Sequence, residues 1–296
     1  MRILVTGSSG HVGGAVAAHL VARGFEVVGV SRRPSRVTGL ASQVQADLGA
    51  APDVNRMQDE VAPCSAIVHA AAALDKDLLS PSISVVNGLG VQRLLALARD
   101  WESRHFVFIS GVHVIGEPRS LPITEDHPAR PTTAYHASKL YGEHLVRLAD
   151  SPACRTATLR LTSPVGPGTP PGRILSVFVE SSLSDRPIQV AGRGTRRQDY
   201  VDVRDAAQAV ESCLCRRASG LFNIGGGRSI SNRELAEMCR QVLGSSSQVD
   251  YGGRPDPEEG IVWDVSIVRA GAELGYRPQH DIEHSIRVLA AEHAGP

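Results

Sequence analysis

The sequence predicts an α/β protein built on a doubly wound parallel sheet, with a smaller lobe towards the carboxyl end. The first observation is an apolar strand at residues 2–6 that runs into a glycine-rich turn at residues 7–13. The second is the alanine-rich helical stretch after the turn, which leads into another apolar strand at residues 25–30. The third is that strands and helical stretches keep alternating as far as residue 165, the order that produces a parallel sheet covered by helices on both faces.

The turn after the first strand is typical of a dinucleotide-binding site. Glycines permit a tight turn, a close approach of the backbone to a pyrophosphate, and close packing of helix against strand. The free N–H groups that begin the following helix would hold the anion. A loop that is glycine-rich by chance would not need the surrounding strand–helix–strand unit. The residues predicted to bind the dinucleotide here are Gly7, Ser9, Gly10, His11, Val12 and Gly13.

The end of the second strand carries serine and arginine, at the place where the adenosine ribose of a dinucleotide would lie. An acidic residue there would bind the ribose 2′-hydroxyl and repel a 2′-phosphate, but the sequence has Ser31, Arg32 and Arg33. Because a guanidinium fork suits a phosphate, the sequence predicts NADP(H) in preference to NAD(H). The alternative is a solvated turn with incidental arginines, which accepts either cofactor.

Later strands supply further candidates for the cofactor site. The third strand ends in an acidic residue, and the fourth runs into alanines, whose small side chains would let a planar ring lie against the backbone. These candidates are Asp47, Leu48, Ala70, Ala71 and Ala72. Asn87 lies in an otherwise apolar helical stretch and should be hydrogen-bonded, either structurally or in a proton relay.

Tyr135 and Lys139 open a helix after the fifth strand, which ends near Ser110. Positions i and i+4 share a helix face. A lysine cation favours the phenolate and so brings the tyrosine pKa, about 10 in water, towards the working pH. Such a pair can donate or remove a carbinol proton while hydride moves to or from a nicotinamide. The spacing alone also fits one buried tyrosine and one exposed lysine, but the preceding glycine turn favours catalysis.

These motifs together resemble the extended short-chain dehydrogenase/reductase family, the NAD(P)-dependent epimerases and dehydratases of nucleotide sugars. The resemblance runs almost end to end. Its segments are residues 6–13 (TGSSGHVG), 69–71 (HAA), 86–88 (VNG), 135–139 (YHASK), 160–168 (RLTSPVGPG), 199–205 (DYVDVRD), 222–225 (FNIG) and 274–278 (LGYRP). The resemblance implies a Rossmann domain at residues 1–165, completed by about residues 199–228, and a mainly substrate-binding lobe at residues 166–296.

The resemblance also implies roles for individual residues. Tyr135 and Lys139 match the family's catalytic pair. In the family this pair also contacts the cofactor, as do the residues at the positions of Asp47, Leu48 and Asn87. In the family a side-chain hydroxyl assists the tyrosine, and the matching position in this chain is Gly111. The neighbouring Ser110 is a candidate to replace that hydroxyl, although successive strand residues point to opposite faces. His113 and Thr133 are alternative donors. Ser163 replaces the substrate-contacting asparagine and is expected to contact cofactor and substrate. The residues expected to bind the substrate are His113, Ser163, Arg197 and Arg254.

The leading function is NADPH-dependent reduction of a keto group on a nucleotide-activated sugar or deoxysugar. The alternative is a nucleotide-sugar epimerase with tightly bound NAD. A dehydratase is disfavoured because the family's dehydratases carry acidic residues where this chain has residues 111–113 (GVH). A non-catalytic NADP-binding sensor is the third hypothesis, and the retained Tyr135 and Lys139 count against it.

Composition excludes several classes of partner. The 31 basic and 31 acidic residues balance, so no overall field attracts nucleic acid or a membrane surface. The five cysteines show no CxxC spacing, and the sequence predicts no metal site or disulfide framework. No apolar run approaches the roughly twenty residues of a membrane span, and the first strand begins at residue 2, so we expect a cytoplasmic protein. The family resemblance implies a homodimer.

Overall fold

The computed structural model describes residues 1–75, 77 and 80–294 of the 296-residue chain. The strands are β1 (Arg2–Thr6), β2 (Glu26–Ser31), β3 (Ser42–Gln45), β4 (Ala66–His69), β5 (His105–Gly111), β6 (Arg155–Leu161), β7 (Ser163–Val165), β8 (Ile188–Val190), β9 (Arg197–Asp202), β10 (Gly220–Ile224), β11 (Ser229–Ser231) and β12 (Val249–Tyr251). The helices are α1 (His11–Ala22), α2 (Ala51–Glu60), α3 (Pro81–Ser84), α4 (Gly90–Asp100), α5 (Ala134–Leu148), α6 (Ile174–Leu183), α7 (Val203–Arg216), α8 (Asn232–Val242), α9 (Val268–Leu274) and α10 (Ile282–Ala294). A π-helical turn, Val85–Leu89, precedes α4, and a 3₁₀ turn, Val112–Ile115, follows β5.

A parallel sheet of seven strands organises the described part of the chain, in the order β10-β6-β5-β4-β1-β2-β3. β1 pairs with β2 on one side and β4 on the other, so Val5 lies between Gly29 and Val68. The chain runs outwards from β1 to β3 and then returns to the other side of β1. In such sheets the ligand crevice opens at this reversal, beyond the carboxyl ends of the strands. The predicted fold class is confirmed.

The strands at the centre of the sheet are apolar throughout because both faces are covered by helices. In β1, Ile3 and Val5 face one core, which α1, α7 and α9 complete. Leu4 faces the opposite core, which α2, α4 and α5 complete. This burial on both faces fixes the position of the strand ends, and therefore of the residues that follow them.

A smaller layer lies after β6. β7, β9 and β11 form one small sheet, β8 and β12 form a pair, and β10 returns to the large sheet beside β6. α6, α8 and α10 surround a separate core that contains Leu175, Phe178, Leu235 and Ile286. No helix in the described ranges has the length and apolarity needed to cross a membrane.

Candidate active site

The glycine turn is packed too closely for larger residues. Gly7 has φ +73°, and a Cβ there would lie 2.8 Å from the Ala71 nitrogen. A Cβ on Gly13 would overlap the Gly7 carbonyl oxygen. Gly10 is the N-cap of α1 and provides no side-chain cap, and the first turn of α1 carries no acidic residue. The N–H groups that begin α1 are therefore available to an anion, as a pyrophosphate requires.

The remaining side chains of the turn lie around this backbone cradle. Ser9 is exposed, whereas Val12 packs against the core beneath α1. His11 is half-buried, and burial chiefly lowers the pKa of its imidazole to about 4. Its ring is therefore neutral at physiological pH, and the positive end of the α1 dipole meets no side-chain anion in the first turn.

The end of β2 is polar and open. Ser31 donates its hydroxyl to the Arg33 carbonyl at 2.7 Å and accepts from Ser8 at 3.3 Å. Arg32 and Arg33 are exposed, and neither side chain pairs with an acidic group in the part of the chain that the structure describes. The two guanidinium groups therefore remain available to a ligand at the end of this strand.

Asp47 and Leu48 shape the next strand end. The Asp47 carboxylate accepts from the Gly49 N–H at 2.8 Å, and Leu48 is buried. Arg93 donates to the Leu48 carbonyl at 2.9 Å from α4. The segment that follows β4 is fixed in the same manner by Asn87, which accepts from Ala73 N at 2.7 Å and donates to Ala73 O at 3.0 Å.

Asn87 also links this alanine segment to α5. Its amide donates to the Ser138 hydroxyl at 3.0 Å, and that hydroxyl donates to the Tyr135 carbonyl at 2.7 Å. At the start of the segment, the Thr6 hydroxyl pairs with His69 Nδ1 at 2.8 Å and accepts from the Ala71 N–H at 3.2 Å. The wall formed by residues 70–73 is thus held from both ends.

Tyr135 and Lys139 lie one turn apart at the start of α5, which Thr133 caps by accepting from His136 N at 3.1 Å. Tyr135 is half-buried, and burial raises the pKa of its phenol, an effect that Arg173 opposes. Lys139 is 4% exposed, and its Nζ lies 4.2 Å from the centre of the Phe108 ring. Burial lowers the Lys139 pKa to about 7, against the opposing charge of Glu143.

Lys139 and His69 contact the same aromatic ring, that of Phe108. Burial lowers the pKa of His69 to about 3, and the Lys139 cation acts in the same direction. His69 stacks on Phe108 at 5.5 Å and hydrogen-bonds Thr6, the residue before the turn. The turn, the alanine wall and the tyrosine–lysine pair therefore meet at the carboxyl ends of β1, β4 and β5, where the ligand crevice of such a sheet opens.

Ser110 has a different environment. Its hydroxyl donates to Glu143 Oε1 at 2.6 Å, and Arg160 donates to Glu143 Oε2 at 2.7 Å. All three side chains are buried. The hydroxyl is thus engaged in an ion-pair network between β5, α5 and β6, and the structure does not bring it to Tyr135. The next residue, Gly111, ends β5 and has no side chain to offer.

The 3₁₀ turn after β5 brings His113 into contact with other rings. His113 stacks on His136 at 5.7 Å between ring centres and lies 4.2 Å from Trp263. His136 in turn contacts the edge of Tyr135 at 5.4 Å. We call Tyr135, His136, His113 and Trp263 the ring row. Burial lowers the His113 pKa to about 3, with smaller effects of His136 and Arg196 in the same direction.

Ser163 and Arg197, both expected to bind the substrate, lie on opposite sides of β9. The Gln198 amide donates to Ser163 at 3.2 Å and accepts from Arg196 Nε at 3.1 Å. Because side chains alternate along a strand, Arg197 points to the other side of β9. There it donates to the Ser229 carbonyl at 2.7 Å and pairs with Glu234 at 2.9 Å. Arg196, which also influences His113, is the arginine on the Ser163 side.

Two further arginines, Arg254 and Arg173, are exposed. The Arg254 carbonyl accepts from the Gly192 N–H at 2.8 Å. Arg173 is the N-cap of α6, and its charge lowers the pKa of both His11 and Tyr135. The residues predicted to bind the substrate did not include Arg173 or Arg196. The alternation of residues 196–198 was the available signal for Arg196, whereas no local pattern marks Arg173.

A family model described as the NAD dependent epimerase/dehydratase family matches residues 3–225. The chain belongs to this family. The resemblance expected from the motifs is therefore confirmed, and the protein is an enzyme of the extended short-chain dehydrogenase/reductase type.

Relatives of this epimerase/dehydratase family member cover almost its whole length. It is 30% identical to a UDP-glucose 4-epimerase of Corynebacterium glutamicum, over 95% of this chain and 92% of the relative. It is 27% identical to a dTDP-glucose 4,6-dehydratase of Streptomyces griseus, over 98% and 93% of the two chains. A structure of the Thermus thermophilus UDP-glucose 4-epimerase in complex with NAD superimposes with a TM-score of 0.85 at 27% identity, covering 100% of this chain and 99% of that one. A structure of MoeE5 in complex with UDP-glucose and NAD gives 0.85 at 25% identity, covering 99% of each chain.

Proposed function

We propose that the protein is a nucleotide-sugar epimerase that oxidises one carbinol carbon of its substrate and reduces it again. The observation that carries the proposal is the common crevice of the glycine turn and the Tyr135–Lys139 pair, since one side binds a dinucleotide and the other handles a proton. The names of the similar proteins, UDP-glucose 4-epimerases with NAD among them, support the same substrate class.

The residues present fit a nicotinamide dinucleotide. The uncapped N–H groups of α1 would bind its pyrophosphate, and because Gly7 lies close to Ala71, backbone rather than side chains would line the ligand there. The buried Lys139 cation has no acidic partner within hydrogen-bonding distance among the described residues, and the hydroxyl groups of a ribose would supply its hydrogen bonds. When bound, the nicotinamide accepts and returns the hydride.

Tyr135 handles the proton in this proposal. Its phenolate removes the proton of the sugar hydroxyl as the hydride leaves the carbon, and the phenol returns it when the carbon is reduced. Burial opposes the phenolate by raising the pKa of Tyr135, and Arg173 favours it. Lys139 would hold the cofactor beside Tyr135 and would add positive charge when it is protonated.

Dehydration requires an acid and a base that act on neighbouring carbons. The residues after β5 begin with Val112 and His113, and together with Gly111 they carry no carboxylate. This observation favours epimerisation over dehydration for this chain, although both activities occur among its relatives.

NADPH-dependent reduction of a keto sugar is the second candidate. The open end of β2 supports it, because Ser31, Arg32 and Arg33 offer hydrogen bonds and positive charge to a 2′-phosphate and no carboxylate to repel one. The same feature makes NADP(H) binding a testable property of the epimerase itself.

The two parts of the chain divide this work. Residues 1–165, with residues 199–228, bind the cofactor, and residues 166–296 mainly bind the sugar. Leu89, in the π-helical turn before α4, is 45% exposed, and Tyr141 of α5 is 46% exposed. A homodimer formed through these two helices would cover both side chains.

The deciding experiment begins with the purified wild-type protein and a Tyr135→Phe variant. We expect both to bind the same dinucleotide, identified after release by denaturation, and only the wild type to interconvert C4 epimers of UDP- or dTDP-hexoses. Loss of kcat in the variant should be at least about 100-fold, the usual contribution of a general acid–base group. Turnover of a 4-keto sugar with NADPH, without epimerisation, would instead establish the reductase. A wild type without either activity would refute both candidates.

A further inference from the structure

The reacting oxygen beside Tyr135 needs a second hydrogen-bonding partner, because charge develops on it as its proton and the hydride of its carbon leave. Two buried or half-buried hydroxyl groups on the surrounding elements already donate elsewhere. Ser110 donates to Glu143 at 2.6 Å, and Ser138 donates to the Tyr135 carbonyl at 2.7 Å. Thr133 accepts from His136 N as the cap of α5, which leaves its O–H free, but this residue is exposed. The donor to the reacting oxygen is therefore sought among the residues that follow β5.

The end of β5 has room for a donor but none is present. Gly111 has φ −136° and ψ 145°, an extended conformation open to any residue. A Cβ there would lie 3.8 Å from the Leu161 carbonyl oxygen, an ordinary contact. Neither backbone strain nor crowding therefore demands glycine, and a serine would fit.

His113 lies two residues further along the chain and is uncommitted. Its ring is fixed between His136 and Trp263, within the row that ends at Tyr135. Neither of its ring nitrogens hydrogen-bonds a residue within the described ranges. The side chain is only partly buried, so its ring nitrogens are open to a ligand that approaches this side of the crevice.

The environment keeps this ring neutral. Burial, His136 and Arg196 lower the His113 pKa to about 3, so at physiological pH the imidazole has one N–H donor and one acceptor nitrogen. A neutral imidazole N–H can donate a hydrogen bond to an oxygen on which negative charge develops, and it keeps its proton while doing so.

We propose that His113 is a further catalytic residue whose ring N–H donates a hydrogen bond to the reacting sugar oxygen beside Tyr135. The inference rests on the proposed epimerase function. No bond to His113 forms or breaks: the proton moves between the sugar oxygen and Tyr135, the hydride moves between the sugar carbon and the nicotinamide, and His113 keeps its own proton throughout.

The test compares His113→Phe, His113→Gln and the double variant His113→Phe/Gly111→Ser with the wild type, as holoenzymes on the same nucleotide hexoses. His113→Phe keeps a flat ring in the row but removes the donor, and we expect kcat to fall about 100- to 1,000-fold, the usual loss for one such donor. KM should change little, because the interaction strengthens only as charge develops. Glutamine restores an N–H, and serine restores a hydroxyl at the end of β5. The kcat of both variants should therefore be at least about tenfold higher than that of His113→Phe. Thermal unfolding of each variant checks that the fold is intact.

Each outcome decides the matter. An active wild type whose kcat is unchanged in His113→Phe refutes the inference and leaves the proposed function standing. A loss that neither glutamine nor serine restores means that the ring acts only through packing, which also refutes it. A wild type that converts no nucleotide hexose refutes the inference together with the function on which it rests.

Discussion

The two sides of the crevice hold their functional groups in different ways. On the cofactor side, the groups are backbone atoms and buried side chains: a Cβ has no space at Gly7 or Gly13, and Lys139 is 4% exposed. On the substrate side, they are long side chains on β9 and on the residue that precedes it. Arg196 and Arg197 keep 25% and 34% of their side-chain surface exposed and pair with acidic neighbours.

This difference has a physical consequence. The backbone cradle specifies glycine at positions 7 and 13, since any side chain there would collide with main-chain atoms. A flexible arginine specifies only charge and reach, and its neighbours can exchange roles. The cofactor side should therefore respond to substitution with loss of structure, and the substrate side with a change in affinity alone.

The largest effect is expected at Gly13. An alanine Cβ at this position would overlap the Gly7 carbonyl oxygen, and neither backbone segment can move without opening the turn. We expect Gly13→Ala to lower the free energy of unfolding by about 3 kcal/mol, the upper range for overpacking, and to abolish dinucleotide binding. Urea unfolding and a fluorescence titration with NADH measure the two quantities.

Gly271→Ala is the matched control. In α9, a Cβ on Gly271 meets its nearest atom, the Tyr276 carbonyl oxygen, at an ordinary 3.6 Å. Because alanine favours a helix over glycine, we expect this variant to be as stable as the wild type or more stable by about 0.5 to 1 kcal/mol. Equal stability of Gly13→Ala and Gly271→Ala would remove the basis of the comparison.

A smaller effect, of opposite sign, is expected at Lys139. Its folded pKa, about 7, lies below the unfolded value near 10.5. Between these values the unfolded chain binds more protons, so the wild type gains stability as pH rises through this window, and the full cost of burying the cation applies below pH 7. We expect Lys139→Met to be more stable than the wild type at pH 6, on the order of 2 kcal/mol, with an advantage that shrinks towards pH 10.

Urea unfolding at several pH values checks the Lys139 prediction. Arg56→Met, which removes an exposed cation from α2, should change stability by less than about 0.5 kcal/mol and independently of pH. A Lys139→Met protein that is less stable than the wild type at pH 6 would contradict the assignment of a burial cost to this lysine. Dinucleotide affinity should fall in the same variant, because the stabilising change removes a functional group.

The same distinction explains what the sequence could predict. The fold class and the family were predictable because the glycine turn and the alternating strands are constraints between residues close in the chain. The environment of Ser110 was not, since its partners Glu143 and Arg160 come from α5 and β6, and only the tertiary structure brings the three together. Likewise, which arginine near β9 lies on the Ser163 side depends on the phase of the strand.

The smallest effect separates those two arginines. Arg196 shares the Gln198 amide with Ser163, on the side of His113, whereas Arg197 is held by Glu234 and the Ser229 carbonyl on the other side of β9. We expect Arg196→Met to raise KM for a nucleotide hexose about tenfold, roughly 1.4 kcal/mol, at unchanged kcat. Arg197→Met should leave KM within about threefold and instead lower stability by about 1 kcal/mol or less, as for other partly exposed pairs. Steady-state kinetics and unfolding of both variants test this, and the reverse assignment of the KM effect would mean that the phase of β9 does not decide which arginine the substrate meets.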